Sequence, residues 1–234
     1  MPTLPRGWVG DTVALYGRVF RRGAALAFAN WPVGLVVIVY GLLVEVATLL
    51  AAPLGIIGGF VITGVIVACA SSWLSLVAQV IRVGRIRLQD VPASFATYFW
   101  DLLNVGFFFR VLRLVASLVL DPFPYLMIVF QLAVLVFLNA VPEVVYIGRH
   151  SAAEVLVESY RFIGENWIEW FPANVLLAGA VFAVALVPGG PFGIIQVGLV
   201  GLALYFAMIV RGLLFRELIT SSRRGREFRR RAAG

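Results

Sequence analysis

The sequence predicts an all-α polytopic membrane protein with six transmembrane helices, arranged as three hairpins that each follow an amphipathic helix. The first supporting observation is composition: 62% of residues are hydrophobic and 13% are charged, about half the charge of a typical soluble domain. The second is the length of the apolar runs, because residues 54–81 and 170–210 contain no Asp, Glu, Lys or Arg. At about 1.5 Å per residue the longer run would extend about 60 Å, twice the hydrocarbon core, so it must fold back once.

The third observation is an internal repeat. The pentapeptide at 53–57 (PLGII) returns at 191–195 (PFGII), with a weaker copy at 124–128. Each copy is preceded by a tryptophan (Trp31, Trp100, Trp167) and followed by an arginine (Arg82, Arg149, Arg216). A fixed period is typical of stacked supersecondary units. We therefore expect one membrane domain over 1–234, with repeats at about 9–82, 83–149 and 150–216 and an arginine-rich cytoplasmic tail over 217–234.

The six spans follow from the apolar runs and their proline or arginine boundaries. They are expected at about 31–51, 56–81, 101–120, 124–147, 168–187 and 192–215. Before each hairpin, apolar residues recur at i, i+4, i+7 and i+11: Val9, Val13, Tyr16, Phe20; Val91, Phe95, Tyr98, Leu102; and Leu156, Tyr160, Ile163, Trp167. Such stripes are typical of one helix face. We expect three helices that lie in the membrane interface and turn into the next span at a tryptophan.

Small residues indicate close helix packing. Gly55, Gly59 and Gly64 share one helical spacing in the second span, and Gly198 and Gly201 thin the last span. Small residues let membrane helices approach one another. We expect these glycines to serve packing within the chain.

Arginine distribution predicts the topology. All 19 basic residues are arginine; seventeen fall on one side of the predicted spans and the other two lie in the third span. The short turns on the opposite side carry none. Cytoplasmic loops of membrane proteins carry an excess of basic residues. The expected location is the inner (cytoplasmic) membrane of a prokaryotic cell, with multiple passes and both termini in the cytoplasm.

Charged residues within the spans are the candidate site. Glu45 lies eight residues before Pro53, and Arg113 lies nine residues before Pro122, so the repeats place them at similar depth. A charge in the bilayer costs about 2.5–3.5 kcal/mol on insertion scales, and pairing is the expected remedy. The pair is either an interhelical clamp or part of a substrate or ion site. Arg110 is expected to extend toward the cytoplasmic headgroups, and further polar points suited to interhelical hydrogen bonds are Gln131, Asn139 and Gln196.

Several chemistries are excluded by the residues present. The single cysteine, Cys69, can form no disulfide within the chain, and the absence of lysine excludes a phosphate-loop lysine and Schiff-base catalysis. The lone histidine, His150, has no metal-ligand spacing around it and is expected on the solvated surface. No nucleophile elbow or Gly-rich nucleotide loop appears. We expect no enzyme activity, no metal and no cofactor.

The arginine-rich composition of the tail predicts contact with lipid. Six arginines offset only Glu227 there, and they are Arg223, Arg224, Arg226, Arg229, Arg230 and Arg231. A basic run directly after a span on the cytoplasmic side is typical of attachment to anionic lipid headgroups, and nucleic-acid binding is the less favoured alternative. The expected partners are the bilayer, its anionic lipids, and a membrane protein or second copy of the chain, without nucleic acid.

The third repeat carries a resemblance. The run from Ser151 to Phe162 (SAAEVLVESYRF), followed by Asn166 and Trp167, resembles a pattern in small six-span prokaryotic membrane proteins of unknown function. These are similar to the membrane domain attached to some glycerophosphodiester phosphodiesterases. The similarity covers about residues 140–185, with an echo at Asn30 and Trp31. It implies a six-span membrane domain and brings no catalytic residue, because the chain has no phosphodiesterase domain.

The function we expect is a non-catalytic membrane module for scaffolding or assembly of membrane partners or lipid structure; the alternative is a small transporter or channel with a site near Glu45 and Arg113.

Overall fold

The computed structural model describes residues 8–86, 89, 91–148, 153–187 and 193–220, and the regular structure over these residues is helical throughout. The helices in chain order are α1 (Trp8–Ala29), α2 (Pro32–Ala51), α3 (Ile56–Val83), α4 (Val91–Thr97), α5 (Phe99–Leu120), α6 (Pro124–Phe137), α7 (Val141–Glu143), α8 (Ala153–Ala185) and α9 (Gly193–Thr220). A 3-10 turn, Ala52–Leu54, joins α2 to α3, and α7 continues as a π-helical turn, Val144–Gly148.

Among the residues that the structure describes, six segments are long and apolar enough to cross a membrane, as the sequence predicts. They are Pro32–Leu54, Ile56–Val83, Val91–Leu120, Pro124–Gly148, Glu154–Ala185 and Gly193–Thr220. A bilayer core about 30 Å thick needs about 20 residues of helix, so each segment is sufficient. The chain is therefore a candidate multi-pass membrane protein.

The three predicted amphipathic segments fold differently from one another. The first forms α1, which ends before a turn at Asn30 and Trp31, and the second forms the short α4, which ends at Tyr98. The third does not form a separate helix, because α8 runs unbroken from Ala153 to Ala185 with Pro172 inside it. The expected turn at Trp167 is thus absent in this stretch of the structure.

Contacts divide the chain into two compact units. The first comprises Met1–Leu43, Leu76–Arg87 and Asn166–Gly234; the second comprises Val44–Ser75 and Leu88–Glu165. In the first unit α1 packs against α9 and buries Leu15 and Val19, while Val13 of the predicted stripe is 63% exposed. The buried face of α1 is therefore offset from the predicted stripe.

Glycines bring α2 and α9 close together within the first unit. A Cβ atom on Gly201 would lie 2.5 Å from the Gly34 carbonyl oxygen and 3.0 Å from a Val37 methyl group. In contrast, a Cβ atom on Gly59 or Gly64 would meet nothing within 4 Å. The predicted close packing thus occurs at Gly201, whereas these α3 glycines face open space.

The second unit contains a hairpin of α5 and α6 that is largely exposed. The turn between these helices is formed by residues 121–123. In α5 only Val105 and Ala116 are buried, and α6 buries none of its residues. Most of the apolar surface of this hairpin is therefore available to lipid or to another protein.

Candidate functional site

A cluster of hydroxyl groups joins α3 to α4 in the second unit. The Ser72 and Ser94 hydroxyl oxygens lie 2.6 Å apart, and the Ser71 hydroxyl donates to the Ser94 carbonyl oxygen at 3.3 Å. The Tyr98 backbone N–H, at the break between α4 and α5, donates to the Ser71 Oγ at 2.8 Å. Because buried polar groups need hydrogen-bond partners, these serines fix the helix junction.

Two further hydrogen bonds satisfy carbonyl groups elsewhere in this unit. The Tyr98 hydroxyl donates to the Tyr146 carbonyl oxygen at 3.3 Å, and the Ser159 hydroxyl donates to the Phe137 carbonyl oxygen at 3.2 Å. Phe137 is the last residue of α6, where helix carbonyl groups lose their partners within the helix. These side chains therefore stabilise helix ends.

Polar residues of the first unit also support helix ends and crossings. Asn30 Nδ2 donates to the Gly84 carbonyl oxygen at 2.9 Å, just after α3 ends at Val83. The Tyr16 hydroxyl donates to the Glu169 carbonyl oxygen at 2.7 Å and so links α1 to α8. Burial, and to a lesser extent the Glu169 carboxylate, raise the pKa of Tyr16, which keeps its hydroxyl group protonated as a donor.

The predicted intramembrane charges Glu45, Arg110 and Arg113 lie in the second unit. Glu45 is exposed on α2, no ion pair joins it to Arg113, and their pairing stays a prediction. Arg113 lines a cavity of about 440 Å³ on the α5–α6 hairpin, which we name the hairpin groove. Its lining residues are Arg110, Arg113, Leu114, Ser117, Asp121, Met127 and Gln131.

The hairpin groove brings together three of the residues singled out in the sequence. Arg110 and Arg113 of α5 share it with Gln131 of α6, whereas Asp121, the residue that follows α5, is not singled out by the sequence. Arg110 lines the groove together with residues nearer the turn, such as Ser117 and Asp121. Its extension toward the cytoplasmic headgroups stays a prediction.

The remaining predicted polar residues are dispersed. Gln196 Nε2 donates to the Ala185 carbonyl oxygen at 2.9 Å and links α9 to the end of α8. Asn139 is half-buried between α6 and α7 and has an interaction partner. Arg161 bridges Glu158 at 3.9 Å and Glu165 at 3.4 Å on the exposed face of α8. His150 and the tail arginines lie outside the described residues.

Most of the buried polar residues are not marked as candidate site residues by the sequence. The buried polar residues of the described chain are Asn30, Ser71, Ser72, Ser75, Ser94, Glu143, Ser159, Asn166, Glu169 and Asn174. The signal for some of them was present, because Ser71 and Ser75 recur at i and i+4 in an otherwise apolar helix. Polar residues with that spacing share one helix face and indicate a contact with another helix.

The arrangement offers the hairpin groove and several hydroxyl groups held in helix contacts. Across the described part of the chain, no group of three or more His, Cys, Asp or Glu residues could hold a metal ion. Comparison with family models, curated proteins and solved structures gives no match to the chain. The exposed hairpin and its groove are therefore the candidate functional surfaces of the chain.

Proposed function

We propose that the chain is a non-catalytic integral membrane module that scaffolds membrane partners. The observation that supports this role is an exposed apolar stripe on α5, formed by Phe107, Val111, Leu114 and Leu118, which are 69%, 39%, 59% and 77% exposed. These positions follow one another at i, i+4, i+7 and i+11. That spacing is typical of a seam between packed helices.

The alternative use of this stripe is contact with lipid alone. Lipid tails are as apolar as leucine, so association of membrane helices depends on packing between their side chains. A continuous seam with regular spacing favours a second helix, because side chains at this spacing interdigitate with those of a partner. We therefore expect a helix of another membrane protein, or of a second copy, against α5.

Photo-crosslinking in native membranes tests the scaffold proposal. We expect benzoylphenylalanine at Leu118 to give a protein adduct of discrete mass, because this side chain is 77% exposed. The matched control is the same replacement at Ala116 on the same helix, which is 8% exposed and should give no such adduct. Adducts with lipid alone at position 118 would contradict a protein partner.

The second candidate function is a small transporter or channel, and the hairpin groove is the observation that favours it. Its arginines and Gln131 would face a charged or polar solute. Flux of chloride or phosphate in proteoliposomes, abolished in Arg113→Gln with thermal stability retained, would support this function over scaffolding. The pairing of Glu45 with Arg113 stays a prediction, and coupling of about 1 kcal/mol in a double-mutant cycle would support it.

We further propose the inner membrane of a prokaryotic cell as the location, with both termini in the cytoplasm. The arginine asymmetry supports this orientation. The three-hairpin repeat, the interfacial placement of α1 and α4, and the attachment of the tail to anionic lipid belong to the same proposal. The resemblance over residues 140–185 to a membrane domain attached to phosphodiesterases is consistent with a module that carries no chemistry of its own.

A further inference from the structure

The hairpin groove concentrates positive charge on a membrane-crossing hairpin. Arg110, Arg113, Ser117 and Asp121 lie at i, i+3, i+7 and i+11 on one face of α5, opposite Gln131 of α6. Two arginines and one aspartate give the groove a formal charge of +1. Such a cavity attracts an anion, and its volume of about 440 Å³ lies within the usual range of ligand sites.

The arginine side chains have unused hydrogen-bonding capacity. Within the described residues, neither Arg110 nor Arg113 forms a hydrogen bond or an ion pair. The Ser117 hydroxyl is occupied, because it donates to the Leu114 carbonyl oxygen at 2.8 Å. Each guanidinium presents five N–H donors in a fork that fits phosphate oxygens. An unpaired charge inside a bilayer is costly, so an anionic ligand would stabilise this hairpin.

The position of the groove relates it to the membrane surface. Arg113 lies seven residues before Leu120, the last residue of α5, which is about 10 Å along the helix axis. Arg110 lies about 15 Å from the same end, and Asp121 lies beyond that end, next to the turn. An anion at the interface can therefore enter from the turn and reach Arg113 first.

The surroundings of the groove distinguish a lipid from a free ion. Apolar residues of α6 in the half nearer the turn are exposed, among them Leu126 at 51% and Val129 at 60%. These side chains suit acyl chains, while the groove suits a phosphate group. A free phosphate ion would use only the second of these features.

We propose that the hairpin groove binds an anionic phospholipid, with its phosphate against Arg113 and Arg110 and its acyl chains along the exposed side chains of α6. This inference rests on the membrane location in the proposed function and is independent of a protein partner. Retained lipid tests the groove, whereas photoadducts at Leu118 test the scaffold. A negative result in the lipid-retention test therefore does not contradict the scaffold proposal, and a negative crosslinking result does not contradict lipid binding.

Native mass spectrometry of the full-length chain tests the proposal. The protein is released from nanodiscs of phosphatidylcholine with about one fifth phosphatidylglycerol. We expect retained phosphatidylglycerol to fall at least about tenfold in R110Q/R113Q, because hydrogen bonds to charged groups contribute about 1.5–3 kcal/mol. The matched control is Arg161→Gln, which removes an exposed arginine of α8 and should retain lipid as the wild-type chain does.

A second variant is expected to bind more lipid, and a misfolded protein would not produce that result. Asp121→Asn removes the negative charge and raises the formal charge of the groove from +1 to +2, so retained phosphatidylglycerol should increase. Inorganic phosphate at millimolar concentration should not displace the lipid. Unchanged retention in R110Q/R113Q, decreased retention in Asp121→Asn, or displacement by inorganic phosphate would each overturn the assignment.

Discussion

Ser94 organises the junction between α3 and α4 through a single hydroxyl group and its own carbonyl. Its side chain is 1% exposed, and it contacts Ser72 while its carbonyl accepts from Ser71. The sequence contains all three serines, yet it does not show that residues 22 positions apart meet. That contact depends on how α4 folds back on α3, which is set by tertiary packing.

We expect Ser94→Ala to lower the thermal stability of the detergent-solubilised chain by about 1 kcal/mol. The substitution leaves the Ser72 hydroxyl without this partner, and side-chain hydrogen bonds between membrane helices contribute about 0.6–2 kcal/mol. The matched control is Ser117→Ala, whose exposed hydroxyl is bonded only within its own helix. Equal stability of the two variants would contradict a stabilising role for the junction.

The arginines of the hairpin show what residue patterns can predict. Arg110 and Arg113 stand out in the sequence because they are charged residues within a predicted span. The span itself can be recognised from hydropathy and length, which depend only on local sequence. The surroundings of these arginines were not predictable in the same way. Repeat register predicts Glu45 as the partner of Arg113 and gives no indication that Asp121 and Gln131 line the same cavity, because that contact depends on how α5 and α6 fold into a hairpin.

At the scale of elements, similar sequence patterns give different helix breaks. One helix break lies at Asn30, whose side chain donates a hydrogen bond to the Gly84 carbonyl oxygen. Another lies at Tyr98, whose backbone N–H donates to the Ser71 hydroxyl oxygen. Asn166 and Trp167 repeat the first pattern, yet α8 continues through them. Within α8 the buried residues Ser159, Phe162, Asn166 and Ala173 stay on one face, so an unbroken helix keeps that face covered.

The crossing of α2 and α9 leads to a second prediction. We expect Gly201→Ala to destabilise the chain by about 1–3 kcal/mol, because the new methyl group would lie 2.5 Å from the Gly34 carbonyl oxygen. Gly59→Ala is the matched control: its Cβ atom meets nothing within 4 Å, and alanine is the better helix former. Thermal unfolding in detergent measures both, and a neutral Gly201→Ala would contradict the close approach.

For the whole molecule, the number of spans was predictable and the grouping of helices was not. Bilayer thickness fixes the length of apolar helix required, so six runs are visible in the sequence. The compact units depend on contacts between distant segments, since residues 76–87 belong with 166–234 rather than with 44–75. Their boundaries differ from those of the predicted repeats, which remain a prediction.

The topology of the whole chain gives a third prediction. In a Cys69→Ala background, a cysteine at Pro124 should be labelled on intact cells by an impermeant thiol reagent, whereas a cysteine at Ala233 should be labelled only after lysis. The reason is the asymmetry of the arginines, seventeen of which lie on one side of the spans. Background labelling should be low, because this background removes Cys69, the single cysteine of the sequence. Labelling at position 233 from outside would reverse the orientation.

The continuity of α8 has a consequence for how much of the helix a bilayer could hold. Its 33 residues extend about 50 Å, which exceeds the hydrocarbon core by about 20 Å. The paired charges of Glu158, Arg161 and Glu165 lie in the first part of the helix, where residues 153–165 account for about 20 Å of its length. Burying these charges in hydrocarbon would be costly, so the length of α8 is sufficient to span a bilayer while its charged turns stay in water.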